Sequence, residues 1–400
     1  MRIRNLLLGV LGLLLLAVLA YQVPWVRLRA DWGYESARAY VRGIIDPVQA
    51  LPAPQVNVVQ SPLPTFSPPA PSPTPPASPT PLPGLVQLPA PRYERQTPNN
   101  CGPATLAMYL DFYGWQGTQQ DIADEIKPET GDRNVNVDEL IHFAGNYAGW
   151  LRSTFRVGGT IELIKQFLAE GIPVMIEEGE YLETDAWAGD DRWAGHYVLI
   201  TAYDEATQTF TYQDTWRGAD LVRSYAETDE FWKQFNRVYL LIYRPDQEAR
   251  VQELLGEDWD VDTNRRNALA TAEREIQANA QDAYAWFNLG MNQVHFLEYG
   301  NAATAFDRAR ELGLPQRMLR YQFGPFFAYY NTGRMDDMRE LLTYALRITD
   351  VSEEALIWMG WVLYREGDRN GAIQQFRLAQ NVNPKSSYVQ QALISIGVEP

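Results

Sequence analysis

The only cysteine in the chain, Cys101, stands in the stretch Gln96-Thr97-Pro98-Asn99-Asn100-Cys101-Gly102-Pro103-Ala104. It opens a predicted helix. Pro103 suits a first turn, where a missing N–H costs nothing; Leu106, Tyr109, Leu110 and Tyr113 recur at helical spacing, and Gly114 stops the run. A sulfur at that place faces unpaired backbone N–H groups and the positive end of the helix dipole, which favour thiolate over thiol. An isolated cysteine is more often a small buried apolar residue, so nucleophilic chemistry here needs a base within hydrogen-bond reach and a third group to orient it. His142 lies on an amphipathic helix and His295 in a helical region far along the chain, and both read as structural. His196 follows Gly195 and opens the strand 197–203, where a side chain can project into a cleft. Residues 204–209 read as a hairpin turn and 210–213 as the return strand, so pairing brings Asp214 close to His196. Cys101, His196 and Asp214 are thus candidates for nucleophile, base and orienting carboxylate in acyl transfer.

Composition narrows the alternatives. A net charge of −16 over 400 residues, with no basic footprint in any folded segment, excludes nucleic acid as the expected partner. One cysteine rules out an intrachain disulfide and cysteine-based zinc sites, and three scattered histidines give no metal-ligand spacing. No metal and no cofactor are expected. Glu177, Glu178, Glu180, Asp190 and Asp191 could suggest a carboxylate pair for glycoside hydrolysis, but in so acidic a chain they read as solvated loops.

Stepping outward from these residues, the chain divides by composition. After a basic flank at 1–5, residues 6–26 carry no charge and are long enough to cross a bilayer, which predicts a transmembrane signal anchor, with a cleaved signal peptide as the competing reading. Residues 27–46 form a membrane-proximal segment. Residues 47–91 hold no charged side chain and are dense in proline, which predicts an extended, polyproline-like tether. Residues 92–247 are compact and mixed. Helices are predicted at 101–113, 118–126, 137–148 and 161–170, then strands at 173–177, 196–203, 209–213 and 237–243. Helices first and strands second give an α+β domain, its helical half packed on an antiparallel sheet with a cleft between. A connector at 248–262 leads to an all-helical region, 263–400. Within it Met338, Leu342 and Ala345 recur as Ala372, Phe376 and Ala379 at a 34-residue period.

Two resemblances follow. Gln96 with Asn100-Cys101-Gly102-Pro103-Ala104, Gly171-Ile172-Pro173-Val174, Gly195-His196-Tyr197-Val198 with Tyr203-Asp204, and Asp214 ahead of Trp216-Arg217-Gly218 resemble the C39-like cysteine peptidases of papain-like fold. The resemblance implies Cys101 as nucleophile, His196 as base and then acid, Asp214 as its partner, and Gln96 as a side-chain donor to the oxyanion beside the N–H of Cys101. Thr215 departs from the family, which commonly has proline after the aspartate. No phosphate loop is present, so processing within the chain's own transporter is not implied. Residues 283–316, 319–352 and 353–386 resemble tetratricopeptide (TPR) units, with caps around 264–279 and 388–396, although Leu297 stands where that family has its turn glycine. The expectation is an exported, membrane-tethered cysteine peptidase on the extracytoplasmic side, whose TPR solenoid recruits a protein partner or substrate on its concave face. The alternatives are a non-catalytic peptide- or peptidoglycan-binding module, and a transpeptidase or amidase using the same acyl-enzyme.

Overall fold

The structure, a computed structural model, describes residues 2–54, 81–183 and 190–400. The centre of the expected tether, 55–80, lies outside the described residues, as does part of the acidic segment before Asp190. Two compact units are present, Met1–Ala50 with Leu182–Arg192, and Leu51–Tyr181 with Trp193–Pro400. In the first, helix α1 (Arg2–Tyr21) stops and α2 (Pro24–Ile45) starts inside the apolar run expected to cross a bilayer as one helix. The break has a cause in the sequence. Pro24 has no N–H to donate back into α1, and a residue preceding proline is pushed out of helical geometry; Val23 is extended, with φ −79° and ψ 120°. Among the described residues no single helix is long and apolar enough to cross a membrane. The span expected over 6–26 is corrected to a helix ending at Tyr21, along which Leu7, Leu11, Leu14 and Leu15 are exposed.

The second unit is built on a sheet that has seven strands among the described residues. Its elements in chain order are β1 (Leu85–Gln87), α3 (Cys101–Phe112), α4 (Gln119–Ile126), α5 (Val137–Tyr147), β2 (Arg152–Arg156), α6 (Ile161–Ala169), β3 (Val174–Tyr181), β4 (Trp193–Asp204), β5 (Thr209–Asp214), β6 (Gly218–Ser224), α7 (Tyr225–Lys233) and β7 (Tyr239–Tyr243). The order is β2-β7-β3-β4-β5-β6, with β1 also on β4, and every pairing is antiparallel. Alternation along β4 sends Tyr197 and Leu199 into a core with Leu106, Tyr109, Leu110, Leu140 and Phe143, and Val198 and Ile200 into a second core with Ile164, Phe167 and Trp232. Helices thus cover both faces of the sheet, where one helical half was expected. Strand β3 continues past the expected end at 177 because its acids find cations: Glu178 forms a bidentate pair with Arg223, and Glu180 lies 2.7 Å from Arg217. Glu177, Glu178 and Glu180 are therefore buried on a strand, not solvated in a loop. Strand β1 falls in the stretch read as tether, held where Tyr203 Oη donates to Pro83 O (2.7 Å) and Glu205 N to Gly84 O (2.8 Å).

From Glu248 onward the chain is helical: α8 (Glu248–Leu255), α9 (Val261–Ala278), α10 (Ala283–His295), α11 (Tyr299–Glu311), α12 (Gly324–Asn331), α13 (Met335–Ile348), α14 (Glu353–Arg365), α15 (Arg369–Val382) and α16 (Ser387–Ser395). Successive helices pack as pairs through close approaches. A Cβ on Gly290 would lie 2.7 Å from the Phe306 ring, and one on Gly360 would lie 2.4 Å from Phe376. The turns within pairs use left-handed residues, Gly333 (φ 78°), Gly367 (φ 92°) and, in the glycine's place, Leu297 (φ 60°), where a side chain costs about 1–2 kcal/mol. The expected connector is part of the fold, since Val251 and Leu255 join the second sheet core. Side-chain amides then fasten the helices to the sheet domain along their length. Asn264 exchanges two hydrogen bonds with Val157 (3.0 and 2.8 Å), Asn236 donates to Asn292 (2.9 Å), and Gln322 donates to Gln234 O (3.0 Å).

At the far end of this junction Asn134 and Asn136 both donate to Glu354 Oε1 (2.8 and 2.7 Å), and Glu353 N donates to Asp132 (3.3 Å). Burial, together with repulsion among these acids, pushes Asp132, Glu353 and Glu354 up to about 7. A carboxyl whose folded pKa is raised stabilises the fold fully below its unfolded value, about 4, and loses that contribution as pH rises to about 7. Glu354→Gln, which keeps the acceptor for Asn134 and Asn136 in neutral form, is expected to raise Tm at pH 8 by about 2–4 °C and to leave it unchanged at pH 5. Thermal melting of both proteins at the two pH values checks this; equal shifts would contradict it.

Candidate functional site

Helix α3 is fastened to the sheet before any question of chemistry arises. Thr105 Oγ1 donates to Tyr197 O (3.0 Å), Tyr113 Oη donates to Ile242 O (2.8 Å), and Tyr109 Oη accepts from Ile242 N (2.9 Å) while donating to Pro173 O. Gly102 is needed for the approach, because a Cβ there would lie 2.4 Å from Val135 Cγ1 and 3.3 Å from the Tyr197 ring. The loop ahead of the helix is pinned by Gln119 at the start of α4: its Oε1 accepts from Thr97 N and from Asn100 Nδ2 (both 2.8 Å), and its Nε2 donates to Arg95 O (2.8 Å). Cys101 is thereby held as the first residue of α3, partly exposed, with its N–H among the first-turn donors that have no acceptor within the helix.

His196 and Asp214 come together through the β4–β5 register. Val198 pairs with Asp214, so His196, two residues earlier, shares its face of the sheet. His196 Nε2 lies 2.9 Å from Asp214 Oδ1, and both side chains are buried. The same oxygen accepts from Trp216 N (2.7 Å) and Arg217 N (2.9 Å) in the turn that follows β5. Cys101 lies close enough to act on the His196 ring, and with Nε2 on the carboxylate, Nδ1 is the ring nitrogen left for the sulfur. Burial alone would strip the imidazole of its proton. The Glu180 and Asp214 carboxylates, the bond to Asp214 and the nearby Cys101 outweigh it and hold the His196 pKa well above its ordinary 6.5. Burial would likewise raise Asp214, but the charge and hydrogen bond of His196 and the two backbone N–H groups lower it to about 2. The arrangement can hold a proton on the imidazole next to a sulfur.

Gln96, the fourth residue singled out, is buried against Asp214's successor. Its backbone N donates to Thr215 O (3.0 Å) and its Oε1 accepts from Thr215 Oγ1 (2.7 Å). Thr215, where the resembled family has proline, thus orients the Gln96 amide with Oε1 engaged and Nε2 as its donor end. Sequence reasoning did not find Thr215 in this role, nor Glu180, Arg217 and Gln119. Arg217 Nη1 sits between Glu180 (2.7 Å) and Asp214 (3.7 Å), so the imidazole faces carboxylates that are themselves partly balanced. The missed signal was the antiparallel register, which puts Glu178 opposite His196 and Glu180 opposite Ala194. His142 and His295 stand apart from the site, bonded to Asn146 and Asp262 respectively.

Residues 84–245 match the family model described as the Peptidase_C39 like family. The matched range takes in the whole sheet and the helices on its two faces. Among solved structures, a Bacillus anthracis protein described as a C39-like peptidase is 17% identical, covers 40% of this chain and 98% of its own, with a TM-score of 0.32. A double glycine motif protease from an AMS/PCAT transporter, solved with its leader peptide, is 17% identical, covers 40% of this chain and 94% of its own, with a TM-score of 0.30. No curated protein matches the chain.

Proposed function

We propose that the chain is a cysteine peptidase that hydrolyses peptide bonds through Cys101, His196 and Asp214. The observation that carries this reading is the single imidazole bonded to a buried carboxylate and lying beside the chain's only thiol. In the first half-reaction His196 Nδ1 holds the thiol proton, Cys101 Sγ adds to the scissile carbonyl carbon, and the oxyanion is met by the Cys101 N–H and Gln96 Nε2. One such donor is worth about 10²–10³ in rate. The imidazolium then protonates the leaving amine, and the acyl thioester forms. In the second, Nδ1 takes a proton from water, hydroxide adds to the thioester carbonyl, and the proton returns to sulfur as the acid leaves.

The helix pairs α10–α11, α12–α13 and α14–α15 are read here as three TPR-like units, capped by α9 and α16, that recruit a polypeptide substrate or partner. The chain acts outside the cytoplasm, exported by its apolar first helix and retained at the extracytoplasmic face of the cell membrane, where the exposed leucines of α1 meet lipid. The chemistry is tested directly by alkylation. At pH 6.5 iodoacetamide is expected to label Cys101 at least about tenfold faster in the wild type than in His196→Ala, which lacks the cation beside the sulfur. Equal rates, followed by mass spectrometry, would sink the reading of an activated nucleophile.

A further inference from the structure

A cavity of about 540 Å³ lies between the C39-like domain and the helices that follow it, within the size range of ligand-binding sites. Its helical wall is made by the first helix of each pair and by the last helix: Met291 on α10, Phe327 on α12, Trp358 and Trp361 on α14, and Tyr388 on α16. The surface that a separate partner would need is therefore turned toward the peptidase domain. The opposite wall carries Phe155, Phe235, Val135 and Glu177. The last two adjoin the start of α3. Val135 is the side chain that closes on Gly102, its carbonyl accepts from Tyr197 Oη (3.1 Å), and the Glu177 carboxyl feels the charge of Cys101. One end of the cavity thus backs onto the turn that holds the thiol.

Its chemistry selects an occupant. The walls are mainly aromatic and aliphatic, and the ionisable groups on them are three carboxyls, Asp138, Glu177 and Glu354, against one guanidinium, Arg265. Glu354 Oε2 is buried without a hydrogen-bond partner, an acceptor that an incoming N–H can satisfy, and when ionised it repels an incoming carboxylate. Trp358, edge-on to Phe327 with centroids 4.6 Å apart, offers a face to a bulky side chain.

We infer that this cavity is the subsite that selects the substrate, taking a bulky apolar, non-acidic segment of the peptide next to the bond that Cys101 attacks. The inference rests on the peptidase reading for its cleavage arm only. The helical domain then reads the substrate itself, and specificity belongs to two domains whose contacts fix the cavity's shape.

The test uses the full chain and a fluorescein-labelled decapeptide library with Leu, Phe or Glu at each position. Trp358→Ala enlarges the cavity and Gln391→Trp, at an exposed position on its rim, fills it. Both are expected to raise KM for Leu- and Phe-bearing peptides about tenfold or more, while iodoacetamide still labels Cys101 at the wild-type rate. A Glu at the selected position is expected to lower wild-type kcat/KM about 100-fold. Anisotropy of the same peptides on Cys101→Ala and on its Trp358→Ala and Gln391→Trp double variants reads binding whether or not the thiol cuts. Folded variants that bind every library member with wild-type Kd overturn the subsite; absence of cleavage with intact, apolar-selective binding overturns only the peptidase reading.

Discussion

Cys101→Ala is expected to lower peptide hydrolysis by about 10⁴–10⁶-fold, to the level left by binding and oxyanion donors alone. The loss should fall on kcat. The partly exposed sulfur contributes no more to the fold than a methylene-sized group, about 0.8 kcal/mol, so the variant should melt near the wild type and still bind peptide. Its anchoring explains why. α3 is held by Thr105, Tyr109 and Tyr113 and its loop by Gln119, through hydrogen bonds that do not involve the sulfur. Cys101→Ser should be nearly as inactive, since an imidazole held protonated is suited to a thiolate and is a poor base for a hydroxyl. Rates of product formation on a cleaved peptide, measured with both variants at matched concentration, decide the matter. Cleavage surviving in Cys101→Ala would move the chemistry to another group.

The residues most open to reading from sequence were those set by local rules. Cys101 stands at a helix start marked by Pro103, and the β4–β5 hairpin fixes the register that brings Asp214 beside His196. Both depend on neighbours within a few residues or across one turn. Glu180 and Arg217 needed the pairing of β3 with β4, across a connection that contains an acidic segment, and the buried Glu180 is balanced by an arginine that itself stands exposed. The junction with the helical region was illegible for a related reason. Asn134 and Asn136 meet Glu354 more than 200 positions later, and nothing in the pattern of either segment names the other. The break at Pro24 is different, because that proline was visible within the apolar run and charge content alone concealed it.

Asp214→Ala is expected to cost both activity and stability, and the two losses separate by pH. The carboxylate is fully buried and occupied by His196 Nε2 and the N–H groups of Trp216 and Arg217. Removing it strands three donors and the imidazole's counter-charge, which for a broken buried pair costs about 3–5 kcal/mol near neutrality. From the carboxyl's own shift, 3.8 to about 2, some 2–3 kcal/mol of this is linked to protons. The sign follows from both partners. Asp214, depressed in the fold, stabilises above about 4 and loses that as pH falls through about 2; His196, raised in the fold, stabilises below about 6.5 and loses that as pH rises through its folded value. The difference in Tm between wild type and variant should therefore be widest from about pH 4 to 6.5 and narrow on either side. In activity, kcat/KM is expected to fall about 10²–10⁴-fold with the alkaline limb moved to lower pH, because the imidazolium has lost the carboxylate that favours it. Asp214→Asn separates orientation from charge. Its amide oxygen can still accept from Nε2 and the two backbone donors, so it should recover most of the rate lost in Asp214→Ala while keeping the displaced alkaline limb; a variant that recovers none of the rate would mean that the carboxylate's charge, and not its aim, sets the rate.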